Sequence, residues 1–166
     1  MKFFPALLIA SFLSNAYADT ITVDDDGPAD FNTIQEAVDY ALSGDQILVS
    51  PGTYEPLPEK LYPVVDFQGK SLTLISRDGA DTTIIDARNQ TTPIIIGTPD
   101  DPLLPIKVEG FTIRNGQSGG ISMYGDGELK VGFSVIENCR EPGIWSGGDN
   151  VKLTVAQCTI RNCDST

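Results

Sequence analysis

Phe111-Thr-Ile-Arg-Asn115-Gly116, Ser134-Val-Ile-Glu-Asn138-Cys139 and Cys158-Thr-Ile-Arg-Asn162-Cys163 are three versions of one hexapeptide. Measured from Asn to Asn they are 23 and 24 residues apart (138 − 115 and 162 − 138). The agreement extends outward, with Gly120-Ile121 matching Gly143-Ile144 and Leu129-Lys-Val131 matching Leu153-Thr-Val155. A fixed period of this length marks stacked repeats, each burying its apolar face only against its neighbours. The units are β-branched, rich in Gly and Asn, and show no helical periodicity. Each is therefore a turn of strands, and the expected architecture is an all-β parallel β-helix.

Working back from the repeats, Ile94–Ile96, Thr82–Asp86, Leu72–Ser76, Gln46–Ser50 and Ile21–Val23 read as strands. Polar or Pro-bearing loops separate several of them, at Glu55 to Pro63 and at Thr98 to Pro105. One helix is expected, Thr33 to Leu42, because Ile34, Ala37, Val38, Ala41 and Leu42 fall on one face. Asn32 or Thr33 caps its start, Gln35 or Glu36 returns the hydrogen bond, and Gly44 suits its stop.

The chain opens with Lys2, an apolar run from Phe3 to Leu13, and Ala16-Tyr17-Ala18, the pattern of a secretory signal cut before Asp19. The run is too short to span a bilayer. Residues 1–18 are thus expected to be a signal peptide and 19–166 a single secreted domain, extracellular, periplasmic or at the cell surface. Its capping segment covers about 21–54 and its clean coils about 106–166. Loss of Lys2 takes the formal charge from −12 to −13 (−12 − 1). So acidic a surface excludes nucleic acid and anionic lipid as partners, and admits acidic polysaccharide only with a cation between.

Thr33-Ile-Gln-Glu-Ala-Val-Asp-Tyr-Ala41, Gly44-Asp-Gln-Ile-Leu-Val-Ser-Pro-Gly-Thr-Tyr54, Lys70-Ser-Leu-Thr-Leu-Ile75 and Thr83-Ile-Ile-Asp86 resemble the amino-terminal cap and first coils of the pectin lyase-like superfamily. The resemblance runs from about Ile21 to Thr166. It implies a right-handed parallel β-helix with an amino-terminal capping α-helix, secreted, and a polysaccharide as the partner class. It does not imply one activity, because lyases, methylesterases, epimerases and surface proteins share this cap. The polygalacturonase type needs a histidine and the chain has none. The methylesterase aspartate motif has only a distant echo at Val64-Val-Asp66-Phe67-Gln-Gly69, read here as a strand and turn.

The remaining candidates come from the repeat columns. Arg114, Glu137 and Arg161 form a column that reads as a cross-strand charge ladder, with neither arginine needed as a lyase base. Asp126 and Asp149, 23 residues apart (149 − 126), would stack as two carboxylates that calcium could bridge. Asp24–Asp26 and Asp100-Asp101 read as solvated turns. Asn115, Asn138 and Asn162 are expected as an internal structural ladder that holds coil register. Tyr124 and Trp145, in successive coils one residue out of register, are the candidate carbohydrate platform. Cys139 and Cys163 lie one coil apart, close enough for a disulfide or for stacking as small hydrophobes, with Cys158 buried where Phe111 sits.

These readings support an exported, non-catalytic module contacting carbohydrate. One alternative is a polysaccharide-active enzyme, a calcium-assisted lyase or an esterase, whose catalytic coils are missing or lie beyond Thr166. The other is a self-associating adhesive module, since the last coil offers an open end that either end-to-end contact or further coils of a longer chain, of which this is a fragment, would cover.

Overall fold

The computed structural model describes residues 18–57, 62–97 and 105–164. Residues 1–17, which hold most of the expected signal, and the Asp100-Asp101 turn lie outside them.

The chain winds as a parallel β-solenoid of about five turns. Its strands fall into three parallel sheets. A six-stranded sheet holds β1 (Thr20–Val23), β2 (Gln46–Val49), β5 (Thr73–Ser76), β8 (Ile106–Glu109), β11 (Gly127–Gly132) and β14 (Val151–Ala156). A five-stranded sheet holds β3 (Gly52–Tyr54), β6 (Thr83–Asp86), β9 (Thr112–Arg114), β12 (Val135–Glu137) and β15 (Thr159–Arg161). A four-stranded sheet holds β4 (Val65–Asp66), β7 (Ile94–Ile96), β10 (Ile121–Met123) and β13 (Ile144–Ser146).

Alternation along each short strand sends one set of side chains inward, and coil stacking places like upon like. Ile21, Ile47, Leu74, Val108, Val131 and Val155 form one column. Tyr54, Ile85, Ile113, Ile136 and Ile160 form another. Members below the last coil are at most 5 % exposed, whereas Val155 and Ile160 at the top are 42 % and 47 % exposed. Each buried aliphatic side chain contributes roughly 1.5–3 kcal/mol, so the stack, not any single coil, supplies stability. β4 and the turn at Gln68 and Gly69, two residues with positive φ (54° and 77°), carry the expected strand and turn around Asp66-Phe67. Phe67 is fully buried.

The helix α1 (Ile34–Tyr40) lies against β1, β2 and β4. Thr33 is its N-cap in a complete capping box with Glu36, and Ile34, Ala37 and Val38 are its buried face. It ends earlier than the periodicity predicts. Ala41 is already extended (ψ 152°), and Asp45 accepts the Leu42 N–H at 2.8 Å. Leu42 is therefore exposed, not part of the apolar face. Gly44, with φ 101°, serves the turn beyond the helix.

Among the clean coils the repeat period changes at one place. β10 and β13 pair with an offset of 23 (Ile121 to Ile144), but β11 and β14 pair with an offset of 24 (Gly127 to Val151). The extra residue sits in the turn Gly147-Gly148-Asp149-Asn150, which stands above Tyr124-Gly125-Asp126. That single insertion decides how two of the candidate pairs meet.

Candidate functional site

The outward positions of the four-stranded sheet run Asp66, Ile95, Ser122, Trp145 from the helix end upward. At its upper end Trp145 and Tyr124 meet with ring centroids 5.1 Å apart and planes inclined at 57°. The two are separated by two register positions, not one, because Trp145 pairs with Ser122. The difference matters: side chains alternate with period two, so a two-residue offset keeps both rings on one face. They are diagonal neighbours of the kind aromatic side chains can bridge. The indole lies over Gly147, where any side chain would collide with it. Tyr124 is 48 % and Trp145 41 % exposed, so the pair presents an apolar surface with a polar rim to solvent.

Asp126 finds its hydrogen-bond partner in Asn150, one residue beyond the Asp149 that the 23-residue spacing suggested. The inserted residue brings Asn150 opposite Asp126, and its backbone N–H and side-chain amide donate to the two carboxylate oxygens at 2.9 and 3.1 Å. These hydrogen bonds, the backbone one foremost, hold the Asp126 carboxyl below its ordinary range. Asp126 thus clamps the turn above it.

The charge column extends one coil lower than the repeats indicate. Asp86, Arg114, Glu137 and Arg161 stand in register. Arg114 pairs downward with Asp86 at 2.8 Å, and the Arg161 Nε donates to Glu137 at 2.8 Å. Asp86 also accepts from the Arg88 N–H and the Asn115 amide, each at 2.8 Å. Burial alone would raise its pKa, but the donors from Asn115, Arg88 and Arg114 outweigh it and hold the carboxyl below its ordinary value.

Asn115, Asn138 and Asn162 all adopt left-handed backbone (φ 58°, 55° and 53°), which Asn tolerates better than most residues. Asn162 donates to Asn138 at 3.2 Å, whereas Asn115 donates to Asp86. The ladder is not internal. Asn138 and Asn162 are exposed and Asn115 is half-buried, because a left-handed corner turns the side chain out of the coil. Cys139, Cys158 and Cys163 are free thiols. Cys139 is buried, and burial pushes its thiol up to about 12. Cys158 takes the corner position of Phe111 but is only half-buried.

Of two further arrangements, the Asp24–Asp26 turn was legible in the sequence and the second escaped it. Asp24, Asp25 and Asp26 hold their carboxylates within 4.8 Å of one another, and Asp24 accepts from the Asp26 and Gly27 N–H groups. The Tyr54 hydroxyl is raised above its usual range, first by burial and then by Asp25 and Asp24. The second is a cleft of roughly 260 Å3 between α1, β4 and the segments on either side of residues 58–61. Gln35 and Asp39, four residues apart on the exposed face of α1, meet Asp66 and Gln68 there. Only the (i, i+4) polar pair on the helix hinted at it.

Among the described residues no helix is long and apolar enough to cross a membrane. Comparison with protein-family models and with curated proteins gave no match.

Proposed function

We propose that this protein is an exported, non-catalytic β-helix of the pectin lyase-like type that holds carbohydrate at or outside the cell surface. The observation that supports it is the Tyr124–Trp145 pair, two exposed rings in contact on one sheet face. A pyranose has an apolar C–H face and a hydroxyl rim, and it lies favourably on such a surface. The acidic chain favours neutral glycans over polyuronates. The right hand of the coil, expected from the family resemblance, accords with the general preference of parallel crossovers.

Trp145 is the only tryptophan, so its fluorescence reports on this face alone. Titration with a panel of neutral and acidic polysaccharides is expected to give saturable quenching that Tyr124→Ala abolishes. Unsaturated uronate and released methanol, followed in the same samples, are expected to stay at background. Product formation would overturn the non-catalytic assignment, and quenching by no glycan would overturn the carbohydrate assignment.

A second reading, self-association, is favoured by the apolar row on the last described coil, where Leu153, Val155 and Ile160 are 42–47 % exposed. Sedimentation that shows a concentration-dependent dimer, lost in Val155→Lys/Ile160→Lys, would support it. A monomer at every concentration would sink it.

A further inference from the structure

We infer that Cys139 and Cys163 are the two halves of a reversible disulfide that staples the last two described coils together. Glu137 pairs with Arg161, so two residues on Cys139 stands opposite Cys163. The ladder keeps that register through the pair: the Asn138 N–H donates to the Arg161 carbonyl at 3.3 Å, and the Asp164 N–H to the Cys139 carbonyl at 3.1 Å. Neighbouring strands lie about 4.8 Å apart, inside the Cα window of about 4.4–6.8 Å that a disulfide accepts. The side chains also turn the same way. Each Sγ approaches the carbonyl two residues before it, Cys139 that of Glu137 at 3.5 Å and Cys163 that of Arg161 at 3.4 Å. The Cys163 Sγ reaches down to the coil of its partner, 3.9 Å from the Ile136 carbonyl. The bond therefore needs side-chain rotation and no new register.

Cys158 is excluded as a partner. It precedes β15 and Cys163 follows it, which separates them by about 10 Å at 3.3 Å per residue, beyond the limit of about 7 Å. Its sulfur instead faces the Val131 and Ala156 carbonyls at 3.6 and 3.3 Å. The two stacked thiols are not equivalent. Cys139 is 3 % exposed, and burial, with Cys163 adding to it, pushes its thiol up to about 12, whereas Cys163 is half-buried. Cys163 is thus the entry point for a small oxidant of the disulfide class, such as oxidised glutathione. Its thiolate attacks one glutathione sulfur, the glutathione S–S bond breaks, and one glutathione leaves. Cys139 then loses its proton and attacks the Cys163 sulfur of the mixed disulfide, expelling the second glutathione. Two protein thiols are oxidised, one glutathione disulfide is reduced, and the two thiol protons end on the two glutathiones.

The staple acts where packing is thinnest, since Val155 and Ile160 in the last described coil are 42 % and 47 % exposed. A bond between residues 24 apart (163 − 139) restricts the opening of β14 and β15. None of this rests on the carbohydrate reading. The full chain, reduced, is incubated at pH 8 with reduced and oxidised glutathione, alkylated after unfolding, and digested without reductant. The monomer is expected to yield a Cys139–Cys163 peptide pair two hydrogens lighter than its parts, with Cys158 alkylated. Cys158→Ser should form the same pair, and Cys139→Ser should stop at glutathione on Cys163. In the oxidised wild type, amide hydrogen exchange of β14 and β15 should be at least about tenfold slower than in the reduced wild type, a comparison that needs no variant. Cys139 and Cys163 that stay alkylatable, or a pair that includes Cys158 or joins two chains, would overturn the disulfide and leave the two as stacked small hydrophobes. Unchanged exchange in the oxidised chain would overturn the staple.

Discussion

Replacing Asp86 by Ala removes the acceptor on which the charge column and the asparagine corner both rest. Its side chain is 7 % exposed and receives Arg88 N–H, Arg114 Nε and Asn115 Nδ2, all at 2.8 Å. A hydrogen bond to a charged group is worth about 1.5–3 kcal/mol, and breaking a buried ion pair costs about 3–5 kcal/mol. The Arg114 side chain is 33 % exposed, so it and Asn115 recover part of their hydration when the carboxylate is lost. The expected loss is therefore about 3 kcal/mol, at the lower end of that range. The pH dependence follows from the sign of the shift. The folded carboxyl titrates below its ordinary value, so its contribution is complete above the unfolded pKa of about 4 and disappears as pH falls through the folded value. Urea unfolding at pH 7 should show the full difference between wild type and Asp86→Ala, and at about pH 3, below the unfolded pKa, the difference should be smaller. A difference under about 0.5 kcal/mol at neutral pH, the ordinary range for an exposed surface site, would refute the reasoning. So would a difference that is the same at both pH values.

Three further outcomes are expected. Phe133 is 59 % exposed with φ 51°, directly above Gly110 with φ 81°; left-handed backbone costs a bulky residue about 1–2 kcal/mol, partly offset by the unfolded-state entropy of glycine. Phe133→Gly should thus stabilise the chain by about 0.5 kcal/mol, seen as a higher urea midpoint with an unchanged slope. With Asp126 already bonded to Asn150, millimolar calcium should leave the melting temperature unchanged, and Asp126→Ala should lower it; a calcium-induced rise that the variant loses would restore the bridged-carboxylate geometry. A thiol reagent at pH 8 should label Cys158 and Cys163 readily and Cys139 only on unfolding, since the Cys139 thiol is buried and titrates far above that pH.

The fold was legible because a solenoid writes its geometry into the sequence once per coil. Ile113, Ile136 and Ile160, or Val108, Val131 and Val155, fill equivalent positions, so three imperfect copies establish both the period and the inward face. The same repetition misled wherever a pair depended on register to the single residue. Asp126 and Asp149 match at 23, the commoner spacing, yet the turn holding Gly147 and Gly148 carries one residue more and delivers Asn150 instead. For Tyr124 and Trp145 the error ran the other way. A one-residue offset would have divided the rings between opposite faces, and the actual two-residue offset unites them.

The cleft was hidden for a different reason. Gln35 and Asp39 meet Asp66 and Gln68 across some thirty residues, 31 and 29 apart in sequence, and the helix that supplies the first pair has no counterpart in the coils. Periodicity says nothing about residues that occur once. In a stacked architecture the columns carry stability and are redundant, so substitutions there are read against their neighbours above and below. A binding site gains specificity from what breaks the pattern: a helix laid across the first coils, a loop of unequal length, an aromatic residue with no counterpart one coil away. Tyr62, Tyr124 and Trp145 are all of that kind, and each stands where the repeat is interrupted. The chemistry of this protein is therefore to be sought at the irregular positions of the four-stranded sheet and its flanking loops, and not along the Asn and Arg columns that the repeats make conspicuous.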